Sequence, residues 1–224
     1  MPGYQVKFDT VTVGGIDYRI RSLLDRQQYA DPLGDAERAG VPEAGWSLFG
    51  QMWPSARVLA LEMHTYALAG QRILEIGAGL ALASLVLHRR GGAVTVSDRH
   101  PLCHPFLNEN LKLNLLGPLP YSAGNWDTDN PELGRFDLII GSDLLYERDH
   151  PAQLAGFIDR HAAPECQIII VDPDRGNRVP FCREMTARGY GFYARRAALQ
   201  MESGEAYKGR FLFFQQPPPL LLAQ

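Results

Sequence analysis

The chain has 224 residues, of which 46% are hydrophobic and 21% are charged, and it carries a net charge of −3. This composition is that of a soluble globular protein with one sizeable core. The slightly acidic balance excludes a global basic field, so we expect no nucleic-acid partner. No apolar run approaches the roughly 18 residues of a membrane span, and we expect no membrane partner.

The cysteines give no sign of a metal site or a disulfide framework. Cys103, Cys166 and Cys182 are odd in number and far apart in sequence, without the short spacings of metal ligands. Met1–Tyr4 lacks the charged and then apolar pattern of a secretory signal. We therefore expect a reducing, cytoplasmic location.

The first 45 residues predict an extension in front of the main domain. Apolar residues alternate on both sides of Gly14-Gly15 within residues 4–24, which predicts a β-hairpin. Residues 25–50 are rich in Asp, Pro, Gly and Ala, and predict a loop over the surface. Pro54 then stands where a helix can begin.

From there strands and helices alternate within one domain, residues 46–216. Five strands and the helices between them are followed by two β runs, which predict an antiparallel pair at a sheet edge. Pro217–Leu220 cannot continue a sheet, so residues 217–224 form a Pro-rich tail. The predicted strands are 72–76, 94–98, one ending near 125–126, 136–141, 167–172, 191–199 and 210–216; the predicted helices lie near 101–114, 151–161 and 180–188.

The most informative stretch is Ile73–Gly79, an apolar run that leads into two glycines separated by one residue. It predicts a buried strand that ends at a tight turn before a helix, where backbone can approach a ligand. A dinucleotide fingerprint needs a small residue at position 82, which is Leu82. Glu75, two residues before Gly77, fits a ligand with an amino group better than a pyrophosphate. The alternative is a turn that merely packs strand against helix.

Polar or aromatic side chains follow the next three strands as well. Asp98 ends the second strand, Asn125 and Trp126 end the third, and Ser142-Asp143 with Tyr146 follow the fourth. The carboxyl ends of parallel strands meet in one crevice of a doubly wound sheet, where an acidic residue can accept ribose hydroxyls. Separately, Asp98 could be a helix cap, Trp126 a core residue and Asp143 a turn former.

These pieces resemble the class I, seven-stranded S-adenosylmethionine-dependent methyltransferases, and more narrowly their family 16 protein-lysine branch. The resemblance covers residues 46–215 and implies an α/β fold with a doubly wound, mostly parallel seven-stranded sheet whose last strand is antiparallel, here with an N-terminal β-hairpin added. The matching segments are 50–55, 75–79, 97–98, 110–114, 125–126, 137–146 and 171–175.

The resemblance also implies a role for each matching residue, with S-adenosylmethionine as the cofactor. Trp53 would pack on the cofactor, Glu75 would meet its amino group or stabilise the turn, and Asp98 would bind the ribose. Asp143 and Tyr146 would lie beside the transferred methyl group as the catalytic pair. The other implied contacts are those of Gly77, Ala78 and Gly79 with its backbone, of Asn125 and Trp126 with the adenine, and of the neighbouring Arg99 and Ser142. Leu80 and Ala81 depart from the family pattern at the start of the helix.

The predicted activity is methyl transfer to a protein lysine, with a protein as partner. The alternatives are a small molecule or another acceptor, a non-catalytic cofactor-binding module and, more remotely, a nicotinamide-dependent oxidoreductase. His100 and His104 are four residues apart, but His100 precedes Pro101, so a surface location is favoured over a metal site. We expect the hairpin, residues 25–50 and the segment after the fourth strand to select the substrate. No oligomeric state is predicted.

Overall fold

The computed structural model describes residues 3–198 and 204–216. The predicted tail, residues 217–224, and the end of the predicted strand at Leu199 lie outside these ranges. Within them the chain forms a two-stranded hairpin and a seven-stranded sheet covered by helices. No helix of the described ranges is long and apolar enough to cross a membrane.

The hairpin consists of β1 (Val6–Val13) and β2 (Ile16–Leu23), which pair antiparallel around the predicted turn. Gly14 and Gly15 both adopt positive φ, as a two-residue hairpin turn requires. The hairpin packs on helix α4 (Cys103–Leu113), where Asn110 accepts a hydrogen bond from the backbone N–H of Arg21 at 2.7 Å. Its buried side chains belong to the same apolar cluster as the sheet.

The segment after the hairpin is more ordered and more buried than the sequence predicts. It holds a short helix, α1 (Asp35–Arg38), and a 3-10 helix at Glu43–Gly50. The predicted surface loop is wrong for the second half, because Trp46 and Phe49 are 1% and 7% exposed. The two rings pack edge to face on each other, and Phe49 packs in the same way on Phe106 of α4.

The main domain alternates strands and helices as predicted. The strands are β3 (Arg72–Ile76), β4 (Ala93–Asp98), β5 (Tyr121–Ala123), β6 (Phe136–Ser142), β7 (Ala162–Asp172), β8 (Gly191–Arg196) and β9 (Arg210–Gln215). The remaining helices are α2 (Pro54–Thr65), α3 (Leu82–Arg89), α5 (His150–His161) and α6 (Arg178–Ala187), and a one-turn 3-10 helix covers Pro131–Leu133.

The strand order in the sheet is β5-β4-β3-β6-β7-β9-β8, and β9 is the strand that runs against the others. The order reverses between β3 and β6, which are neighbours in the sheet. In open α/β sheets ligands bind at such a reversal, outside the carboxyl ends of the strands. The predicted α/β class, the mostly parallel sheet and the antiparallel last strand are confirmed.

Three strands differ from their predicted limits by two residues or more, and one of them, β8, ends at Arg196 instead of position 199. β5 ends at Ala123, so Asn125 and Trp126 lie in the following loop rather than at the strand end. β7 begins at Ala162 and contains an irregularity opposite Phe136–Leu138, where Glu165 adopts a φ of 64°. Alternation of apolar residues carries no signal for such a bulge, which inserts unpaired residues into one strand.

Apolar clusters cover both faces of the sheet, as a parallel sheet requires. Helices α2, α3 and α4 pack on one face, and α5 and α6 pack on the other. In β3 the side chains alternate between these faces, with Ile73 in one cluster and Leu74 and Ile76 in the other. The carboxyl ends of β3, β4 and β6 are thereby held at one edge.

Candidate functional site

The turn after β3 is built on two glycines with left-handed backbone angles. Gly77 and Gly79 have φ of 55° and 52°, a region that costs a residue with a Cβ about 1–2 kcal/mol. A Cβ on Gly79 would also lie 2.9 Å from the backbone oxygen of Phe49, which passes close to the turn. The turn therefore presents bare backbone at the carboxyl edge of the sheet.

Asp98, at the end of β4, holds this turn from the side. Its carboxylate oxygens accept hydrogen bonds from the backbone N–H of Gly79 at 2.9 Å and from that of His100 at 2.8 Å. Helix α4 begins at Cys103 without a side-chain cap, so Asp98 is not a helix cap. It is a largely buried carboxylate that links two strand ends.

Glu75 occupies a different place from the one that an amino-group contact would need. Its carboxylate is buried and accepts hydrogen bonds from the hydroxyl and the backbone N–H of Ser84, the latter at 2.8 Å. Burial raises the pKa of Glu75 to about 7; the Ser84 bonds oppose this shift and the charge of Asp98 adds to it. Glu75 thus ties the first turn of α3 to β3, which matches its alternative role in stabilising the turn.

A cavity of about 380 Å³ opens at the carboxyl ends of β3, β4 and β6. Its size lies in the range of small-molecule sites. Every predicted site residue except Glu75 lines it, which brings together Trp53, Gly77, Ala78, Gly79, Asp98, Arg99, Asn125, Trp126, Ser142, Asp143 and Tyr146.

Asp143 follows β6 in a left-handed conformation, with a φ of 58°, and its N–H donates to the backbone oxygen of Val171 at 2.8 Å. Arg175, just after β7, donates from Nε to Asp143 Oδ1 at 2.6 Å. This hydrogen bond raises the pKa of Arg175. The carboxylate on the cavity wall is therefore already paired with a cation of the same chain.

Tyr146 lies on the other side of the cavity, near the end of β4. Its ring contacts the edge of His150, with 4.6 Å between the centroids. Burial raises the pKa of Tyr146, and the neighbouring Arg99, which also pairs with Glu147 at 3.0 Å, opposes this shift. Asp143 and Tyr146 thus both line the cavity, and each has its own charged neighbour.

A second hollow, of about 480 Å³, adjoins the cavity on the side of β7. Arg26, Trp53, Asp143 and Arg175 line both spaces. The hollow is also lined by Ser55 and Tyr207, whose hydroxyl oxygens are 2.7 Å apart. Asp143 is therefore reachable from two directions.

The expected surface location of the histidines is wrong for His100, which is 3% exposed. Its ring stacks on Phe49 with 3.9 Å between the centroids, and burial lowers its pKa to about 4. His150 is also buried, with Nδ1 2.7 Å from the backbone oxygen of Leu144. Within residues 3–198 and 204–216, no group of His, Cys, Asp and Glu side chains could hold a metal ion.

Residues 42–184 match the family described as lysine methyltransferase. The chain belongs to this family. It is 34% identical over 118 residues to the histone-arginine methyltransferase METTL23 of Xenopus laevis, a match that covers 49% of this chain and 50% of that protein. It is 31% identical over 127 residues to the protein N-lysine methyltransferase METTL21A of Xenopus tropicalis, covering 54% and 58%. The chain thus spans about half the length of the curated relatives it matches.

Solved structures agree on the fold. The 16S rRNA N2 G1207 methyltransferase RsmC of T. thermophilus, solved in complex with AdoMet and guanosine, matches with a TM-score of 0.62 and 17% identity over 95% of this chain and 51% of that one. At this identity the likeness concerns the fold alone. Together with the family match, it confirms the resemblance that the sequence indicates.

The residues that line the cavity without having been predicted from the sequence include Arg26, Phe49, His100 and Arg175. Arg175 lies in the segment 171–175, which was matched to the family without a role for its arginine. His100 stands two residues after the predicted Asp98, and that proximity was a usable signal. Arg26 and Phe49 lie in the segment that looked like a surface loop, and no short-range pattern marks them.

Proposed function

We propose that this chain transfers a methyl group from S-adenosylmethionine to the side-chain amine of a lysine in a protein. One observation carries the proposal: the glycine turn, Asp98 and Asp143 face a single cavity at the reversal of strand order. Membership of the lysine methyltransferase family supports the class of reaction. One relative is named a protein N-lysine methyltransferase and another a histone-arginine methyltransferase.

The residues of the cavity fit S-adenosylmethionine. The turn at Gly77 and Gly79 lines the cavity with backbone, and glycine is needed at position 77 because φ is 55° and a Cβ there would lie 2.5 Å from a side-chain carbon of Leu144. Asp98 offers a carboxylate for the ribose hydroxyls, and Trp126 offers a ring for the adenine. Leu82 stands where the dinucleotide fingerprint needs a small residue, which disfavours a nicotinamide cofactor.

When bound, S-adenosylmethionine supplies a methyl group attached to a positively charged sulfur. A lysine acceptor must first lose a proton, and its ordinary pKa is about 10.4. An unpaired carboxylate beside the amine would stabilise the ammonium form, but Arg175 offsets the charge of Asp143. Arg175 donates to Oδ1, and we assign Oδ2 to accept a hydrogen bond from the acceptor amine. Asp143 would then orient the amine toward the methyl group.

The second hollow gives the acceptor a way in. It meets the first cavity at Trp53 and Asp143, so a side chain that enters there reaches the Asp143 carboxylate without crossing the cofactor cavity. Trp53 and Tyr207 give this route two aromatic walls among its charged ones, and contact with the aromatic rings favours the neutral form of the amine. In this arrangement Tyr146 shapes the opposite wall of the cavity.

The test is transfer of tritium from labelled S-adenosylmethionine to lysate proteins of a strain that lacks this chain. We expect label in a protein band, and methyllysine after acid hydrolysis. Methylarginine would move the proposal to a guanidinium acceptor, label in small molecules would exclude a protein substrate, and no transfer despite cofactor binding would favour a binding module.

Asp143→Asn should lower transfer at least tenfold while affinity for S-adenosylhomocysteine stays within a few-fold, because an interaction made in the transition state affects turnover. Tyr146→Phe should have a smaller effect. The matched control is Asp137→Asn at the opposite end of β6, where the carboxylate also pairs with an arginine, Arg72, at 3.3 Å. If both site variants keep full turnover on the acceptor, the assigned roles are wrong.

We also propose that the protein acts in a reducing compartment, the cytoplasm, and without a nucleic-acid partner. Cys103, Cys166 and Cys182 are free and buried, which suits a compartment where thiols stay reduced. The net charge of −3 gives no general attraction to phosphate backbones. Fractionation of the native host, with detection of the tagged chain, tests the location.

A further inference from the structure

Three arginines line the cofactor cavity in the described part of the chain, and two of them are bonded to carboxylates. Arg99 pairs with Glu147 at 3.0 Å and Arg175 with Asp143 at 2.6 Å. Arg26 forms no ion pair with any residue in the ranges 3–198 and 204–216; its guanidinium carbon lies 4.4 Å from the centre of the Trp53 ring. Among the arginines of the cavity wall it is therefore the one that has no ion-pair partner within these ranges.

The backbone that carries Arg26 is held in place by one side chain of the 3-10 helix and by that of the residue directly after it. The hydroxyl of Ser47, itself 4% exposed, donates to the backbone oxygen of Arg26 at 2.7 Å. The side-chain amide of Gln51 donates to the backbone oxygen of Asp25 at 2.9 Å. With its backbone anchored at two points and its guanidinium stacked on Trp53, Arg26 loses little freedom when it binds an anion.

The position of Arg26 along the cavity indicates which anion it meets. Arg26 and Trp53 line both the cavity and the adjoining hollow, beside Asp143. Asp98 and Trp126, which face the ribose and adenine in the proposed function, line the first cavity and not the hollow. Arg26 therefore lies at the end that is remote from the adenosine, where the amino-acid part of the cofactor would extend.

We infer that Arg26 binds the carboxylate of the amino-acid part of S-adenosylmethionine, an inference that rests on the proposed function. A guanidinium donates a pair of hydrogen bonds that match a carboxylate. The charge of Asp143, which would repel a carboxylate, is offset by Arg175. Stacking on Trp53 orients the planar guanidinium and still leaves its N–H edge available.

Two ligands that differ in this one group test the inference. Decarboxylated S-adenosylmethionine keeps the sulfonium, the amino group and the adenosine but lacks the carboxylate. In calorimetric titrations, Arg26→Gln should weaken binding of S-adenosylmethionine about tenfold and leave binding of the decarboxylated ligand within twofold. Arg26→Lys, which keeps the charge, should recover part of the loss. Arg99→Gln removes an arginine at the other end of the cavity and should change both affinities by the same factor.

Three results would overturn the inference. An equal loss for both ligands in Arg26→Gln would show that Arg26 acts through Trp53 or through the fold, and thermal unfolding of the same variant separates these two causes. Unchanged affinity for both ligands would show that Arg26 does not bind the cofactor and lies on the acceptor side of the site. If the wild-type protein binds neither ligand, the proposed cofactor fails as well; if it binds S-adenosylmethionine and Arg26→Gln binds it equally, this inference alone fails.

Discussion

Replacing Asp98 by Asn separates its structural role from its role in binding. Both carboxylate oxygens accept backbone N–H bonds, from Gly79 at 2.9 Å and from His100 at 2.8 Å. An amide has a single acceptor oxygen, so one of these N–H groups would face an NH₂ group and lose its partner. A buried donor left without a partner costs about 1–3 kcal/mol, and we expect Asp98→Asn to lower the free energy of unfolding by about 2 kcal/mol.

Apart from its effect on stability, Asp98→Asn should weaken binding of the cofactor. Charge-assisted hydrogen bonds from a carboxylate to the ribose hydroxyls contribute roughly 1.5–3 kcal/mol, which corresponds to roughly a 10- to 150-fold loss of affinity. Urea unfolding followed by circular dichroism measures the first quantity, and calorimetric titration with S-adenosylhomocysteine, well below the unfolding transition, measures the second. The two losses together distinguish a residue that binds ligand from one that only holds the turn.

Asp137→Asn is the matched control, because Asp137 also accepts a backbone N–H, that of Arg72 at 2.8 Å, but at the far end of the sheet and with its side chain 39% exposed. We expect it to lose less than about 1 kcal/mol of stability and no affinity. If Asp98→Asn binds S-adenosylhomocysteine within twofold of the wild type, Asp98 supports the turn without touching the cofactor, and the reasoning on the ribose is refuted.

Burial raises the pKa of Glu75 to about 7 from an ordinary 4.5, so between these pH values the folded chain keeps a proton that the unfolded chain has released; stability should fall with rising pH across this window by about 3 kcal/mol. Glu75→Gln should remove this pH dependence of stability. Equal urea midpoints of the wild-type protein at pH 5 and pH 8 would contradict the prediction. Gly79→Ala should lose about 1 kcal/mol or more beyond Gly70→Ala, since both positions have left-handed φ but a Cβ at Gly70 meets open space; equal urea midpoints would dismiss the close backbone contact. Arg175→Gln should shift the pH dependence of methyl transfer upward by unpairing Asp143, whereas Arg175→Lys should not, and an unmoved profile would rule out charge compensation.

The sequence predicts the structure correctly where the residues that determine it lie close together in the chain. The run Ile73–Gly79 predicts strand, turn and helix because burial, glycine and helix start lie within ten residues of one another. The same alternation places Glu75 on the face that carries Ile73, toward α3, so its burial against Ser84 follows from strand geometry. The expected amino-group contact rests on the position of the Glu75 carboxylate two residues before Gly77 and on the family resemblance, and neither takes the direction of the side chain into account.

The rest depends on contacts between segments far apart in the chain. Arg26 reaches the cavity only because residues 43–50 fold under it, and Phe49 approaches the turn at Gly79 from 30 residues away. The pairing of Asp143 with Arg175 joins two strand ends across the sheet. Such long-range pairs follow no periodicity or fixed spacing in the sequence. Composition alone therefore predicts an exposed loop for residues 25–50.

The attachment of the hairpin has a consequence for how this protein can change over generations. Asn110 and Asn114 hold β2 through its peptide groups, at Arg21 and Arg19, and not through its side chains. Because these hydrogen bonds are made to the main chain, they do not depend on which side chains occupy the outward positions of β1 and β2. Mutations at those outward positions can accumulate without loosening the segment that bears Arg26, as long as the buried side chains of the hairpin, such as Tyr18 and Ile20, keep their apolar contacts. The outward face of the hairpin is thus a part of the molecule where new contacts can arise with little effect on the cavity at the carboxyl edge of the sheet.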